Sequence, residues 1–209
     1  TGSGLGYPTW PECTPGSYTP VPHQEEEQLH AWIEFGNRLL TFALLLSALS
    51  VVLYVLVTRR KDLRLLAAGQ VIGILGQGVL GGITVLTDLH PATVASHLLL
   101  SIFLIAGATS LFSRRHQPQK KVSAPTKTIS ILSRVHIVVA YIVIILGTIV
   151  TGSGPHAGDE KAPRLNLNIQ HIAQLHGGLV VALLIFTVIF YLKSELRYET
   201  KRWLSLFFI

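Results

Sequence analysis

The chain has 209 residues, of which 49% are hydrophobic and only 13% charged, and it carries a formal net charge of +6. An ordinary soluble domain is about a quarter charged, and the mean hydropathy here is +0.50. The apolar residues fall in five long blocks, each close to or above the roughly 18 residues that mark a membrane span. Together these exclude a soluble enzyme, a nucleic-acid module or a disordered tail as the main reading. The single cysteine, Cys13, excludes an intrachain disulfide and any Cys-rich metal site. The chain has no methionine, opens on Thr1-Gly2-Ser3-Gly4 and ends within the apolar run Leu204-Ser205-Leu206-Phe207-Phe208-Ile209. It therefore reads as an internal piece of a longer protein.

Residues 1–30 hold five prolines, four glycines and the acidic run Glu25-Glu26-Glu27, and read as a water-facing loop extending to residue 32. The first span is expected over 33–57, the second over 65–86 and the third over 93–112. A basic linker, 113–130, leads to a fourth span over 131–150. A loop over 151–168 precedes the fifth span, 169–192, and a basic segment then leads into a truncated sixth. The spans lack the alternation of barrel strands, so they are read as helices, which satisfy their own backbone groups in lipid.

Lys and Arg set the orientation. Of the 17, 14 fall after spans one, three and five or at the start of span four: Arg59, Arg60, Lys61, Arg64, Arg114, Arg115, Lys120, Lys121, Lys127, Arg134, Lys193, Arg197, Lys201 and Arg202. The positive-inside rule places that side in the cytoplasm, which explains the basic pI of about 9.7. Residues 1–32 and 151–168 are then extracytoplasmic.

Thr-Gly-Ser-Gly occurs at 1–4 and again at 151–154. Each copy is followed by an outer loop and then by a helix with polar groups near its outer end. In one these are Glu34, Asn37 and Arg38; in the other, Gln170, His171, Gln174 and His176. The match in sequence and in topological position implies an internal repeat. Two four-helix halves follow, eight spans in all, of which this chain holds helices two to six and the start of the seventh. The all-α membrane bundle then divides into the loop 1–32, helices two to four over 33–112, the linker 113–130, and the second half over 131–209. The second span is rich in glycine (Gly69, Gly73, Gly76, Gly78, Gly81, Gly82), which suits close helix packing or room for a flat ligand.

Ionisable residues inside a membrane are expensive and suggest function. Glu34, Asn37 and Arg38 share one helix face through i, i+3, i+4 spacing. Gln77, His97 and His176 lie at similar depth on the outer side. For His97 and His176 the open readings are heme ligation, interhelical hydrogen bonding and proton relay. Arg38 is an interface anchor, the partner of Glu34 or a partner for a heme propionate. Glu34 is an ion-pair partner or a group that moves protons or stabilises developing positive charge. His136 is expected at the cytoplasmic interface, and His23, His30, His90, His116 and His156 in solvated loops or edges.

Several blocks resemble heme A synthase. They are Thr1-Gly2-Ser3-Gly4-Leu5-Gly6 with Pro8, Trp10, Pro11 and Cys13; Glu34-Phe35-Gly36-Asn37-Arg38; Gln77 to Val85; Ala95-Ser96-His97; and, most specifically, Thr148 to Asp159. The resemblance covers the whole chain. It implies an eight-helix enzyme of two pseudo-symmetric halves that oxidises the C8 methyl of heme O to a formyl group, giving heme A for terminal oxidases. It implies Glu34 as the catalytic carboxylate, His97 as an iron ligand of the substrate heme O, and His176 as an iron ligand of a heme b in the second half. Asn37, Arg38 and Gln77 become heme-pocket residues.

It further implies a cell membrane location, with the bilayer, heme O and heme O synthase as partners and no nucleic acid; an oligomer is left open. The fragment by itself is expected to be inactive, because the partner ligand of His176 would lie on a helix it lacks. Two departures stand out. Most members have histidine at Asn37, although one branch carries Glu-Phe-Gly-Asn-Arg, so His97 is left as the expected protein ligand of the substrate heme. Tyr7 replaces the first cysteine of the family's loop pair. From the residues alone, a membrane dihaem cytochrome b that transfers electrons is the alternative, and a transporter is disfavoured because the polar groups lie far from the midplane.

Overall fold

The computed structural model of the chain describes residues 9–21, 28–115, 127–155 and 162–192. Among them are five α-helices and no strand beyond the isolated bridge Thr14–Ser17. The helices are α1 (Gln28–Val57), α2 (Arg64–Leu86), α3 (Pro91–Arg114), α4 (Lys127–Ser153) and α5 (Ile169–Leu192), with a single 3-10 turn at Lys61–Leu63. All five are long and apolar enough to cross a membrane. The shortest has 23 residues, about 34 Å at 1.5 Å per residue against a hydrocarbon core of about 30 Å. Large side chains such as Leu46, Leu53, Ile72, Phe103 and Ile137 are exposed along them, as lipid-facing residues would be.

The five complete spans expected all form as helices, and the truncated sixth lies outside the described residues. The fifth matches its helix, and the others are extended by one to five residues at their starts and by two or three at the ends of α3 and α4. The largest difference is at α1, where Gln28 to Trp32 are helical rather than part of the loop. Ala31 is 1% exposed and packs with Cys13, so loop burial draws the helix start back. The first Thr-Gly-Ser-Gly copy, Tyr7, His23, His116 and His156 lie outside the described residues.

The chain forms two compact units, 1–119 with 154–165, and 120–153 with 166–209. In the first, α2 packs against both α1 and α3. Val55, Leu63, Ala67 and Leu111 form a core at one end. There the Arg60 guanidinium donates to the α3 carbonyls of Arg114 (3.1 Å) and Arg115 (3.4 Å) and to Asp62 (2.9 Å). These bonds occupy two of the carbonyls that a helix end leaves without intrahelical partners. At the other end, Asp88 (φ 50°) and Leu89 (φ 59°) turn the chain in the left-handed region. Pro91 opens α3, and the His90 ring accepts from the Ala92 N–H at 3.2 Å.

The second unit is the antiparallel pair α4 and α5. Hydroxyls in both units turn back onto their own helices: Ser50 on Leu46, Thr84 on Leu80, Ser133 on Ile129 and Ser153 on Ile149. Each hydroxyl thus finds an acceptor without a partner from outside the helix.

Candidate functional site: a polar-lined cavity in the first unit

The α2–α3 interface is built on glycine and glutamine. Gly73 receives Leu104, Gln70 bears on Gly107, and the His97 ring lies over Gly81, where an added Cβ would meet its Nε2 at 3.5 Å. Gln77, one turn below Gly81, donates from Nε2 to the His97 carbonyl (3.1 Å) and to Ser101 Oγ. Ser101 in turn donates to the same His97 carbonyl at 3.0 Å. The network orients the Gln77 amide, since a flip would set oxygen against oxygen. Its Oε1 is buried without a hydrogen-bond partner among the described residues.

On α1, Glu34 and Arg38 pair at 2.8 Å, each side chain about one-fifth exposed. Arg38 also donates to the Pro11 carbonyl at 3.0 Å and contacts Cys13 Sγ at 3.4 Å. One guanidinium therefore ties the loop to the carboxylate. Trp10 sits directly against Gly82 on α2, in space that any side chain there would need. Cys13, the free thiol, is wholly buried beneath these contacts.

These elements enclose a cavity of about 750 Å³, within the range of small-molecule sites. Glu34, Asn37, Arg38, Gln77 and His97 all line it, together with Trp10, His30, Gly81 and Gly82. Two imidazoles, a carboxylate, a guanidinium and two amides, with Tyr18, Thr41 and Thr84, thus face a chamber whose other walls are apolar. Such an arrangement can hold a flat apolar ligand, orient its polar edge and exchange protons with it.

His176 lies in the second unit. Its ring inserts against Gly147 of α4, where an added Cβ would stand 3.1 Å from Cε1, and its Nδ1 is buried without a hydrogen-bond partner among the described residues. Eleven residues further along both helices, His136 Nε2 meets the Thr187 hydroxyl at 2.8 Å. Thr187 donates its proton to the Leu183 carbonyl at 2.7 Å, so it accepts from the ring and His136 carries its proton on Nε2. His136, expected at the interface, is thus a bond between helices. His171 is exposed, with its backbone N–H on Asn168 Oδ1 at 3.2 Å.

Residues 1–208 match the model of the cytochrome oxidase assembly protein family, COX15-CtaA. The chain belongs to this family. It is the family to which heme A synthase belongs, as the resemblance in the sequence implied. No curated protein and no solved structure matches the chain. For this cytochrome oxidase assembly protein, membership and five membrane-capable helices make a multi-pass membrane protein.

The sequence reading brought Glu34, Asn37, Arg38, Gln77 and His97 forward, and one cavity gathers all five. It did not foresee Trp10, Ser101 or His30 as part of the same structure. His30 was legible, since it stands one helical turn before Glu34 on the same face. The seats of Trp10 and Ser101 depend on which helices meet, which spacing within one helix does not reveal. Among the described residues no group of three or more His, Cys, Asp or Glu side chains is arranged to hold a metal ion, so an iron here would depend on isolated histidines.

Proposed function

We propose that this cytochrome oxidase assembly protein is the central part of a heme A synthase, which oxidises the C8 methyl of heme O to a formyl group. The observation that carries the reading is the shared cavity: Glu34, held by Arg38, and His97, seated on Gly81, line one chamber of about 750 Å³. In this reading the halves are four helices each, divided as 1–32, 33–112, 113–130 and 131–209, with residues 1–32 and 151–168 outside the cell membrane.

The residues fit a heme. Gly78 leaves open space on the wall, with nothing within 4 Å of an added Cβ, the His97 ring lines the chamber, and Gln77 Oε1 is a buried acceptor with no hydrogen-bond partner among the described residues. In the second unit, the half-buried His176, whose Nδ1 has no hydrogen-bond partner among the described residues, suits a ligand of heme b. Iron porphyrin, when bound, supplies the electron-transfer and oxygen chemistry that a methyl group on an aromatic ring requires.

The protein's own contribution is binding and charge. His97 would ligate the iron of the substrate heme O, with its backbone carbonyl fixed by Gln77 and Ser101. Asn37 lies on the same wall. Arg38 would hold the Glu34 carboxylate towards the chamber and attract a propionate. Glu34 would accept the protons released as methyl becomes alcohol and alcohol becomes aldehyde, and would stabilise positive charge at the reacting carbon. The bilayer delivers the apolar substrate, and heme O synthase is the partner expected to supply it.

The test is chromatography of hemes extracted from membranes carrying the full-length parent, in cells that make heme O but no heme A. Heme A or its hydroxylated intermediate is expected, and its loss in Glu34→Gln with heme still bound. Heme b alone, from a folded protein with heme O present, would overturn the reading in favour of an electron-transfer cytochrome b.

A further inference from the structure

Ile74 lines both the polar cavity and a second chamber of about 450 Å³, so the two lie side by side with one residue in common. This chamber runs between α1 and α3 over α2, from Ile74 down to Leu63, about 16 Å along the helix. Its walls are mainly aliphatic: Val51, Val55, Leu63, Ala108 and Leu111. No acidic residue and no histidine lines it, and its charged group, Arg115, stands at the helix end with its guanidinium over Phe112 at 3.5 Å. A polar chamber that suits a flat head therefore adjoins a long apolar one. The ligand class that fills both is a macrocycle carrying a flexible hydrocarbon tail.

We propose that the second chamber holds the farnesyl tail of heme O while the first holds its macrocycle. The proposal rests on the heme O reading above and adds where the tail goes. Heme B has the same macrocycle with a vinyl group where heme O carries the hydroxyethylfarnesyl chain, so the chamber would select between them. A lipid acyl chain would enter from the bilayer and has no reason to lie beside the polar cavity. The residue the two chambers share, Ile74, puts the apolar one within reach of a tail carried by a macrocycle in the other, which favours the tail. Each methylene removed from water is worth about a factor of four in affinity, so excluding a few of them is measurable.

The test uses the full-length protein with its resident heme b loaded. Heme O and heme B are added separately and followed by absorption titration. Ala108→Phe and Ser47→Phe each place a ring in the chamber from an exposed position, away from Glu34 and His97. The wild type is expected to bind heme O at least tenfold more tightly than heme B. Both variants should cut that preference by at least tenfold, through weaker heme O binding with heme B binding unchanged. A preference that survives in both variants would overturn the proposal and assign the chamber to lipid. So would a wild type without preference, or variants that weaken both hemes alike. A wild type that takes up neither heme would instead overturn the heme O reading itself.

Discussion

Replacing Gly147 by alanine puts a methyl group 3.1 Å from Cε1 of His176, closer than a relaxed carbon contact. One of the two must give by a few tenths of an ångström. The histidine ring has little freedom, because its Nδ1 is already buried, and α4 is held to α5 by the His136–Thr187 bond. Overpacking of this kind costs about 1–3 kcal/mol. Alanine returns up to about 1 kcal/mol of helix propensity. The net is a penalty of roughly 1 kcal/mol, carried by a tilted imidazole, or about fivefold in any equilibrium that needs the ring in place.

If His176 ligates heme b, Gly147→Ala in the full-length protein should lower bound heme about fivefold at limiting heme. The assay is the reduced-minus-oxidised spectrum per mole of purified protein. Gly76→Ala is the control, since its Cβ would meet Leu100 at 3.6 Å in ordinary contact, and it should leave heme content unchanged. Wild-type heme content in a folded Gly147→Ala protein would refute the reasoning, whereas equal loss in both variants would show that any methyl group in these interfaces is disruptive.

Other perturbations read other contacts. Arg38→Ala removes the group that ties Pro11 and Cys13 to α1. The buried Cys13 thiol should then react with maleimide at least tenfold faster, read by mass spectrometry of its peptide; an unchanged rate would mean the loop is held by Trp10 and Gly82 alone. Gln77→Leu should lower the melting temperature in detergent, through about 1 kcal/mol of lost interhelical bonding, and should broaden the heme spectrum of the first site if His97 is a ligand. Thr187→Val removes the hydroxyl that bonds the His136 ring across the helix pair and should cost about 0.6–1.7 kcal/mol with no change in heme content. A loss of heme there would reassign His136 to the site.

The spans were legible because lipid imposes one rule on every backbone group, and the runs 33–57 and 169–192 satisfy it on composition alone. The Glu34–Arg38 pair was legible for a similar reason, since i, i+4 spacing puts both on one face of any helix. What the sequence withheld depends on partners. The second-span glycines read equally as close packing and as space, and the structure uses them for both. Gly73 and Gly82 receive Leu104 and Trp10, while Gly78 has nothing within 4 Å of an added Cβ. His136 shows the same limit. Beside Arg134 it looks interfacial, and only the approach of α5 reveals Thr187.

The pairings across each helix interface keep step. On α2 the partners of Gln70, Gly73, Gln77 and Gly81 are Gly107, Leu104, Ser101 and His97, so steps of three and four residues on one helix match steps of three and four on the other. On α4 and α5, His136–Thr187 and Gly147–His176 are separated by eleven residues on both strands of the pair. Eleven residues are close to three full turns, about 16 Å, so both contacts fall on one seam. His176 is thus positioned by a seam whose other end is a hydrogen bond. A glycine beneath a ring fixes how close the helices come, and a polar pair further along fixes how far they slide. His97 repeats the arrangement, with Gly81 beneath its ring and the Gln77–Ser101 bond one turn away. Both candidate ligand histidines are therefore held by packing that precedes any ligand. This is the preorganisation an iron site needs when, as among the described residues here, no cluster of three or more ligand side chains defines it.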